Sequence, residues 1–201
     1  ADPDRIDDRL LETGAVERQA DAAVVRQQAE RGVNAPTTTS AGRYLDAVSA
    51  LVGACDRRTY EGEPAQRLEA LARDGTPQPI DIPYKTRSGD RVLDVQTLVR
   101  SLAALTDDAS AADVAATAQH ALASGLAAIA VAAAADRNVD TIGFTGGVAY
   151  NDAFSRQIRT TVAAADYPYL EPEMVPPGDG GIAYGQAIVA TARNGSVADN
   201  R

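Results

Sequence analysis

TIGFTGGVAYNDAF, residues 141–154, runs from a β-branched start through a Gly-Gly pair to an Asn and a helix-compatible stretch. That is the pattern of a strand handing over to a helix through a tight turn. Residues 150–164 then read as a helix, "YLEPEMV" (169–175) as a second short strand, "PPGDGG" (176–181) as a loop and 181–193 as a final helix. Strand, helix, strand, helix at this spacing predicts a right-handed parallel βαβ unit closed by one more helix. The class is therefore α/β or α+β.

Upstream the periodicity is helical. Residues 3–31 are charged and helix-prone, with Leu10, Leu11, Val16, Val24 and Val25 as burial points. "GVNAPTTTSAGR" (32–43) is a loop in which Pro36 restricts Ala35 and the Thr/Ser run supplies an N-cap. "RYLDAVSALVG" places Tyr44, Leu45, Val48, Leu51 and Val52 on one 3.6-period face, and Gly53 stops the helix. In "TYEGEPAQRLEALARDG" (59–75), Gly62 and Pro64 mark a helix entry and Gly75 its exit. The period then changes to two: "PIDIPYK" and "DRVLDVQ" flank "TRSGD" as a β-hairpin, its first strand an edge because of Pro83. Residues 96–105 and 109–135 return to helix. The sequence thus divides into a helical lead-in, 1–78, and a C-terminal lobe, 79–201.

Composition bounds the function. In 201 residues, 45% are hydrophobic but only 4% aromatic, with no Trp, so the core is built of Ala, Val, Leu and Ile. Cys55 stands alone, which excludes an internal disulfide and is compatible with a reducing cytosol. A lone cysteine after a helix end reads as a small buried hydrophobe. The Ala-rich run 111–135 is interrupted by Asp113, Gln119 and His120 and reads as a soluble helix, so no membrane segment is expected. The start lacks Met and any signal-peptide pattern, as expected of a piece of a larger multidomain protein. The net charge is −9, with Lys85 the sole lysine. That balance suits either a halophilic, strongly anionic surface or a GC-rich genome, and it argues against DNA or other duplex nucleic acid as a partner.

Two glycine loops, Thr145-Gly146-Gly147 and Pro177-Gly178-Asp179-Gly180-Gly181, fall at the C-terminal ends of the two strands. In open α/β sheets ligands bind at that edge, and each loop opens a helix whose first amides can receive an anion. A Gly-Gly before a helix is also an ordinary turn. Asp179 reads either as a ligand for a hard divalent cation or as an N-cap for the last helix. Asp46 and Glu69, each on a helix after a Gly-containing loop, could hold a ribose through its hydroxyls or could be solvent-facing charge. His120 sits in an Ala-rich helix without a partner motif, and no Ser-His-Asp set or Cys-His metal cluster exists.

Four blocks in order, "TTTSAGRYLDAVSALVG", "YEGEPAQRLEALA", "FTGGVAYNDAF" and "VPPGDGGIAYGQA", resemble the C-terminal portion of the HypF family of carbamoyltransferases, from about Val24 to Arg193. That portion is similar to TsaD, the tRNA threonylcarbamoyl transferase, and the second and fourth blocks resemble HypF more than TsaD. The resemblance implies an RNase-H-like lobe of the actin, Hsp70 and sugar-kinase type. It implies that Gly146, Gly147 and Asn151 lie against nucleotide phosphates, that Asp46 and Glu69 hold the ribose, and that Gly62 lines the nucleotide pocket. Asp179 is matched to the carboxylate ligand of a bridging metal (magnesium, iron or zinc), and His120 to a histidine of no assigned role. The family activity it implies uses ATP and carbamoyl phosphate to form carbamoyl adenylate. The carbamoyl group then passes to the C-terminal cysteine of HypE during nickel-iron hydrogenase maturation. No residue of this stretch is expected to be a catalytic nucleophile. The family's His-x-x-x-His helix and Cys-rich domain have no counterpart here, so the chain is expected to be inactive alone.

Overall fold

The computed structural model describes residues 3–12 and 14–198, which form two compact units meeting within one long helix, at Leu122 and Ala123. The sequence-based division at 78/79 follows the change from helical to β-containing sequence; compact packing follows this different line.

The first unit is mainly helical. Helices α1 (Pro3–Glu12) and α2 (Gln19–Arg31) pack together. The Arg26 Nε donates to Asp7 Oδ1 across 3.1 Å, where the Asp7 side chain is buried. The expected single helical stretch is therefore broken after Glu12. Ala22 is the buried residue of α2, while Val24 and Val25, expected inside, are exposed.

Helix α3 (Ala41–Leu51) starts where Ser40 accepts a hydrogen bond from the Arg43 amide, as the Thr/Ser run predicts. It buries Tyr44, Leu45 and Val48 against α4 (Glu63–Ala72), whose Leu68 is fully enclosed. Gly62 caps α4 in the left-handed region, φ +83°, and Pro64 occupies its first turn. The β-hairpin consists of β1 (Tyr84–Arg87) and β2 (Asp90–Leu93), in register Tyr84 to Leu93. Ser88 and Gly89 both have positive φ, the requirement of a two-residue type I′ turn. The first strand is shorter than its alternation suggests: 79–83 stay outside the ladder, and pairing begins only after Pro83, which has no amide hydrogen to donate. Helix α5 (Val95–Leu105) is capped by Asp94 and encloses Leu98 and Leu102.

Helix α6 (Ala111–Arg137) is long and apolar enough, by length and composition, to cross a membrane. Its first turns are instead core, with Val114, Ala115, Ala118 and Leu122 buried. The Tyr44 hydroxyl donates to the Ala118 carbonyl at 3.2 Å, and burial pushes that phenol well above its ordinary pKa. Gln119 donates to the Leu68 carbonyl, His120 is exposed, and Cys55 is buried as expected.

The second unit carries the βαβ unit. Strand β3 (Ile142–Gly143) pairs in parallel with β4 (Tyr169–Leu170). Both are far shorter than the stretches read as strands: the ladder ends after Gly143 and after Leu170. Between them runs α7 (Asp152–Ala164), burying Phe154, Ile158 and Val162. Helix α8 (Ile182–Ala198) follows the second loop, and its side chains through Arg193 are all exposed. Helix-rich α/β architecture with two small sheets is the fold class the sequence announced.

One buried carboxylate makes the first unit sensitive to acid. Glu63 accepts from the Thr59 amide, from the Thr59 hydroxyl at 2.9 Å and from Arg67 at 2.7 Å. These partners, the Thr59 amide foremost, hold its carboxyl below the ordinary range. A depressed carboxylate contributes stability that is present above its unfolded value, about 4.3, and is lost as pH falls through the folded one. Glu63→Gln should therefore melt lower than the native chain at pH 7, and the gap should close as pH falls below about 4. Melting curves across that range test this; a gap independent of pH would show that Glu63 acts through packing alone.

Candidate functional site

The two glycine loops are physically joined. The Gly146 amide donates to the Pro177 carbonyl at 2.7 Å, and the Thr145 hydroxyl donates to the same oxygen at 2.8 Å. A methyl group on Gly178 would lie 2.8 Å from the Tyr150 ring and 3.5 Å from the Gly147 Cα. A side chain there would need the exposed Tyr150 ring to turn aside, while its approach to Gly147 would be an ordinary contact.

Within this clasp the two loop glycines differ. Gly146 has φ +108°, a conformation that side chains resist. Gly147 has no such constraint, and a Cβ on either residue would meet nothing within 4 Å. Bare backbone therefore faces open space above the C-terminal end of β3. Residues 147–150 make a 3₁₀ turn, and α7 is capped by Asn151, whose side chain accepts from the Phe154 amide at 2.9 Å. Asn151 is buried, so it fixes the direction in which α7 presents its first turn. That terminus carries the positive end of the helix dipole and suits an anion.

The second loop holds Asp179 at the start of a 3₁₀ turn, Asp179–Gly181, leading into α8. The alternative of an N-cap is not realised: the capping position is Gly178, with no side-chain cap bond. Asp179 is exposed. Among the described residues, no three His, Cys, Asp or Glu side chains converge on a common point that could hold a cation. A metal at this loop would have one carboxylate from this stretch of chain.

The residues expected at the ribose belong to the first unit. Asp46 on α3 pairs with Arg43 at 3.2 Å, and Glu69 on α4 pairs with Arg73 at 3.7 Å, each one turn along its own helix. The packing of α3 on α4 sets the two carboxylates on neighbouring helices, and Gly62 heads the second of them. Gly146, Gly147, Asn151 and Asp179 belong to the second unit. The clasp itself went unread in the sequence: Thr145 and Pro177 supply it through a hydroxyl and a carbonyl, and neither residue type signals such a role.

A short parallel βαβ unit with two clasped glycine loops at its strand ends defines an α/β lobe whose first loop presents bare backbone to open space. Residues 5–186 match the family model described as carbamoyltransferase, Kae1-like domain, second subdomain. The chain belongs to the HypF carbamoyltransferase family. It is 35% identical, over 86% of its length, to the probable carbamoyltransferase HypF of Methanocaldococcus jannaschii, and 39% identical over 85% to carbamoyltransferase HypF of Rhodobacter capsulatus. It spans 22% of the length of each of those two relatives. The crystal structure of T. kodakarensis HypF superposes with a TM-score of 0.75 at 35% identity, covering 86% of this chain and 22% of that one. A full-length HypF in a phosphate- and nucleotide-bound form shares the fold, with a TM-score of 0.76 over 86% of this chain and 23% of that one, at 22% identity.

Proposed function

We propose that this chain is the nucleotide-binding C-terminal part of a HypF-type carbamoyltransferase. In the complete protein, carbamoyl phosphate, water and ATP give carbamoyl adenylate with release of phosphate and pyrophosphate, and the carbamoyl group passes to the C-terminal cysteine thiolate of HypE in the cytosol, releasing AMP. The observation that carries the reading is the clasp, which presents bare glycine backbone to open space beside the α7 N-terminus. Backbone amides there would hold the adenylate phosphate without the reorganisation that flexible side chains require. Asp46 and Glu69 would accept hydrogen bonds from the ribose hydroxyls, with Gly62 leaving room beside them. Asn151 would act as a positioning residue by fixing the first turn of α7.

Asp179 would give one oxygen ligand to a divalent ion, whose chemistry is to neutralise phosphate charge. One carboxylate binds such an ion weakly, because affinity depends on several ligands converging in fixed geometry. In a complete HypF-type protein carrying this sequence, Asp179→Ala should lose bound metal with an unchanged melting temperature, since the residue is exposed and caps nothing. Metal analysis alongside a melting curve checks this. Retained metal would remove Asp179 from the ligand set.

No residue of this stretch needs to be a nucleophile in that scheme: the attacking thiolate comes from HypE, and the lobe acts by holding the acyl donor in reach. Mass spectrometry of a HypE tail peptide after incubation with the complete protein, ATP and carbamoyl phosphate tests the reading. A thiocarbamoyl adduct on the terminal cysteine supports it. Modified tRNA would point to a TsaD-type enzyme, which the acidic surface disfavours, and neither product would leave a nucleotide-binding assembly module.

A further inference from the structure

Helix α8 is apolar and uncovered at once. From Ile182 to Arg193 every side chain is exposed, and Ile182, Tyr184, Ile188 and Val189 each leave more than half of their surface in solvent. Along this stretch only Arg193 is charged, in a chain whose residues are 23% charged. A helix face that belongs in water looks like that of α7, whose exposed positions hold Asp152, Arg156 and Arg159. At about 100° per residue, the four large side chains of α8 fall within one arc of about 160°, with Ala183, Gln186 and Ala190 on the other side. An apolar stripe of that width ordinarily faces a core or a partner.

The same helix is tied to the glycine clasp. The Asp179–Gly181 turn leads into Ile182 without a break, and the Gly181 amide donates to the Gly178 carbonyl at 2.9 Å. A Cβ on Gly181 would lie 2.4 Å from the Pro176 carbonyl oxygen, so the helix start rests on the backbone of its own loop. The next residue, Pro177, accepts from the Gly146 amide and the Thr145 hydroxyl. Whatever fixes the direction of α8 therefore acts on the second loop where it meets the first.

We propose that the apolar face of α8 docks, within one polypeptide, on the first subdomain of this domain in a longer HypF-type protein, and that this docking sets the second glycine loop against the first. The second half of the proposal rests on the nucleotide reading of the clasp; the first half does not. There is chain enough outside these 201 residues: this stretch spans 22% of two of its curated relatives, and the family model it matches is a second subdomain. The covering face must be apolar, since a charge set against Ile188 and Val189 would lose its water and gain no partner. A second copy of the chain is a poorer occupant. The strip is about 18 Å long and about 10 Å across, a fraction of the roughly 800 Å² per partner that a stable two-chain interface buries. A tethered surface needs less, because it escapes most of the entropy cost of association.

Hydrogen exchange read by mass spectrometry, on a complete HypF-type protein carrying this sequence, tests the docking without any ligand. The α8 amides should exchange as slowly as those of α7, because an unpacked helix of this length opens readily. Exchange as fast as in the Ser88-Gly89 turn would overturn the proposal. So would protection that is lost on dilution from about 50 μM to about 0.5 μM, which would place a second copy on the face. Ile188→Asp should release the α8 amides, leave those of α7 protected, and weaken ATP binding on the order of tenfold by calorimetry. Ile188→Val should retain both properties, and Gln186→Glu, on the other side of the helix, should change neither. Released α8 amides with unchanged ATP affinity would overturn the coupling between helix and loops. Protected α8 amides in a native protein that binds no ATP would refute the nucleotide reading, and the coupling with it, while still supporting the docking.

Discussion

Gly75→Ala is expected to destabilise the first unit more than a methyl group added at any other exposed-loop or helix-start glycine there. A Cβ at this position would lie 2.0 Å from the Ala112 carbonyl oxygen, 2.3 Å from its carbon and 2.8 Å from the Asp113 nitrogen. All three are backbone atoms in the first turn of α6, so no side-chain rotation relieves the clash. The surrounding strap cannot slide either. The Thr76 amide donates to Asp113 Oδ1 at 2.7 Å, and the Gln78 amide to Thr117 Oγ1 at 2.8 Å. Thr76 and Ser110 together hold the Asp113 carboxyl below its ordinary range, so it remains an acceptor at neutral pH. Overpacking usually costs about 1–3 kcal/mol, and backbone meeting backbone belongs at or above the top of that range. A melting-temperature loss on the order of 10 °C follows. Gly42→Ala, where the new carbon comes no nearer than 3.5 Å to Ser40 Oγ, should change stability by less than about 1 kcal/mol. If the two variants melt together, α6 does not rest on Gly75.

That glycine also shows what sequence can and cannot say. It stands just past a periodic apolar run, which reads correctly as the end of α4, but the usual reason for glycine at a helix end is a left-handed residue. Gly75 does not have positive φ; Gly53 and Gly62 do, and those two were legible as the stop of α3 and the entry of α4. Helix caps, turn residues and amphipathic periods are local, so Ser40 and the Ser88-Gly89 turn could be read from their neighbours, whereas Asp94, the cap of α5, lies in the stretch whose alternation reads as strand. A close approach between residues 37 apart leaves no local trace. The same limit explains the strands. Alternation extended the first hairpin strand across Pro83 and stretched β3 and β4 to several residues each. Pairing length, however, is set by where a partner strand ends, which sequence periodicity does not encode.

The candidate site divides in the same way. Glycine at 146, 147 and 178, and a carboxylate at 179, are visible as types at loop positions. The reasons for two of them are tertiary: the Pro177 carbonyl that accepts from Gly146, and the Tyr150 ring that lies against Gly178. Asn151 falls inside the stretch 150–164 that reads as helix; in the fold it caps that helix, its side chain accepting from the Phe154 amide. The carboxylates on α3 and α4 could not be told from surface charge by spacing, and each does pair with an arginine one turn away. A helix-surface ion pair of that kind is weak enough to yield to a ligand hydroxyl.

In a complete HypF-type protein carrying this sequence, Gly147→Val should lower nucleotide affinity on the order of a hundredfold while leaving the fold intact. The separation of the two effects is the point of choosing this residue. Gly147 has ordinary φ, and a Cβ there would meet no atom within 4 Å beyond its chain neighbours, so folding has little to lose. The same open space is where a phosphate must come to reach the backbone amides, and an isopropyl group would fill it. Gly146→Val gives the contrasting result, since φ +108° strains any side chain and the amide of this residue makes the 2.7 Å bond to Pro177. That variant should lose melting temperature and nucleotide affinity together. Gly178→Ala should lose less than Gly146→Val, because its methyl meets closely only the exposed Tyr150 ring, which can turn aside. Calorimetric titration with ATP, run beside melting curves on all three variants, reads both quantities. Normal ATP affinity in a folded Gly147→Val protein would mean that phosphate does not lie against this loop, and the clasp would then be architecture alone.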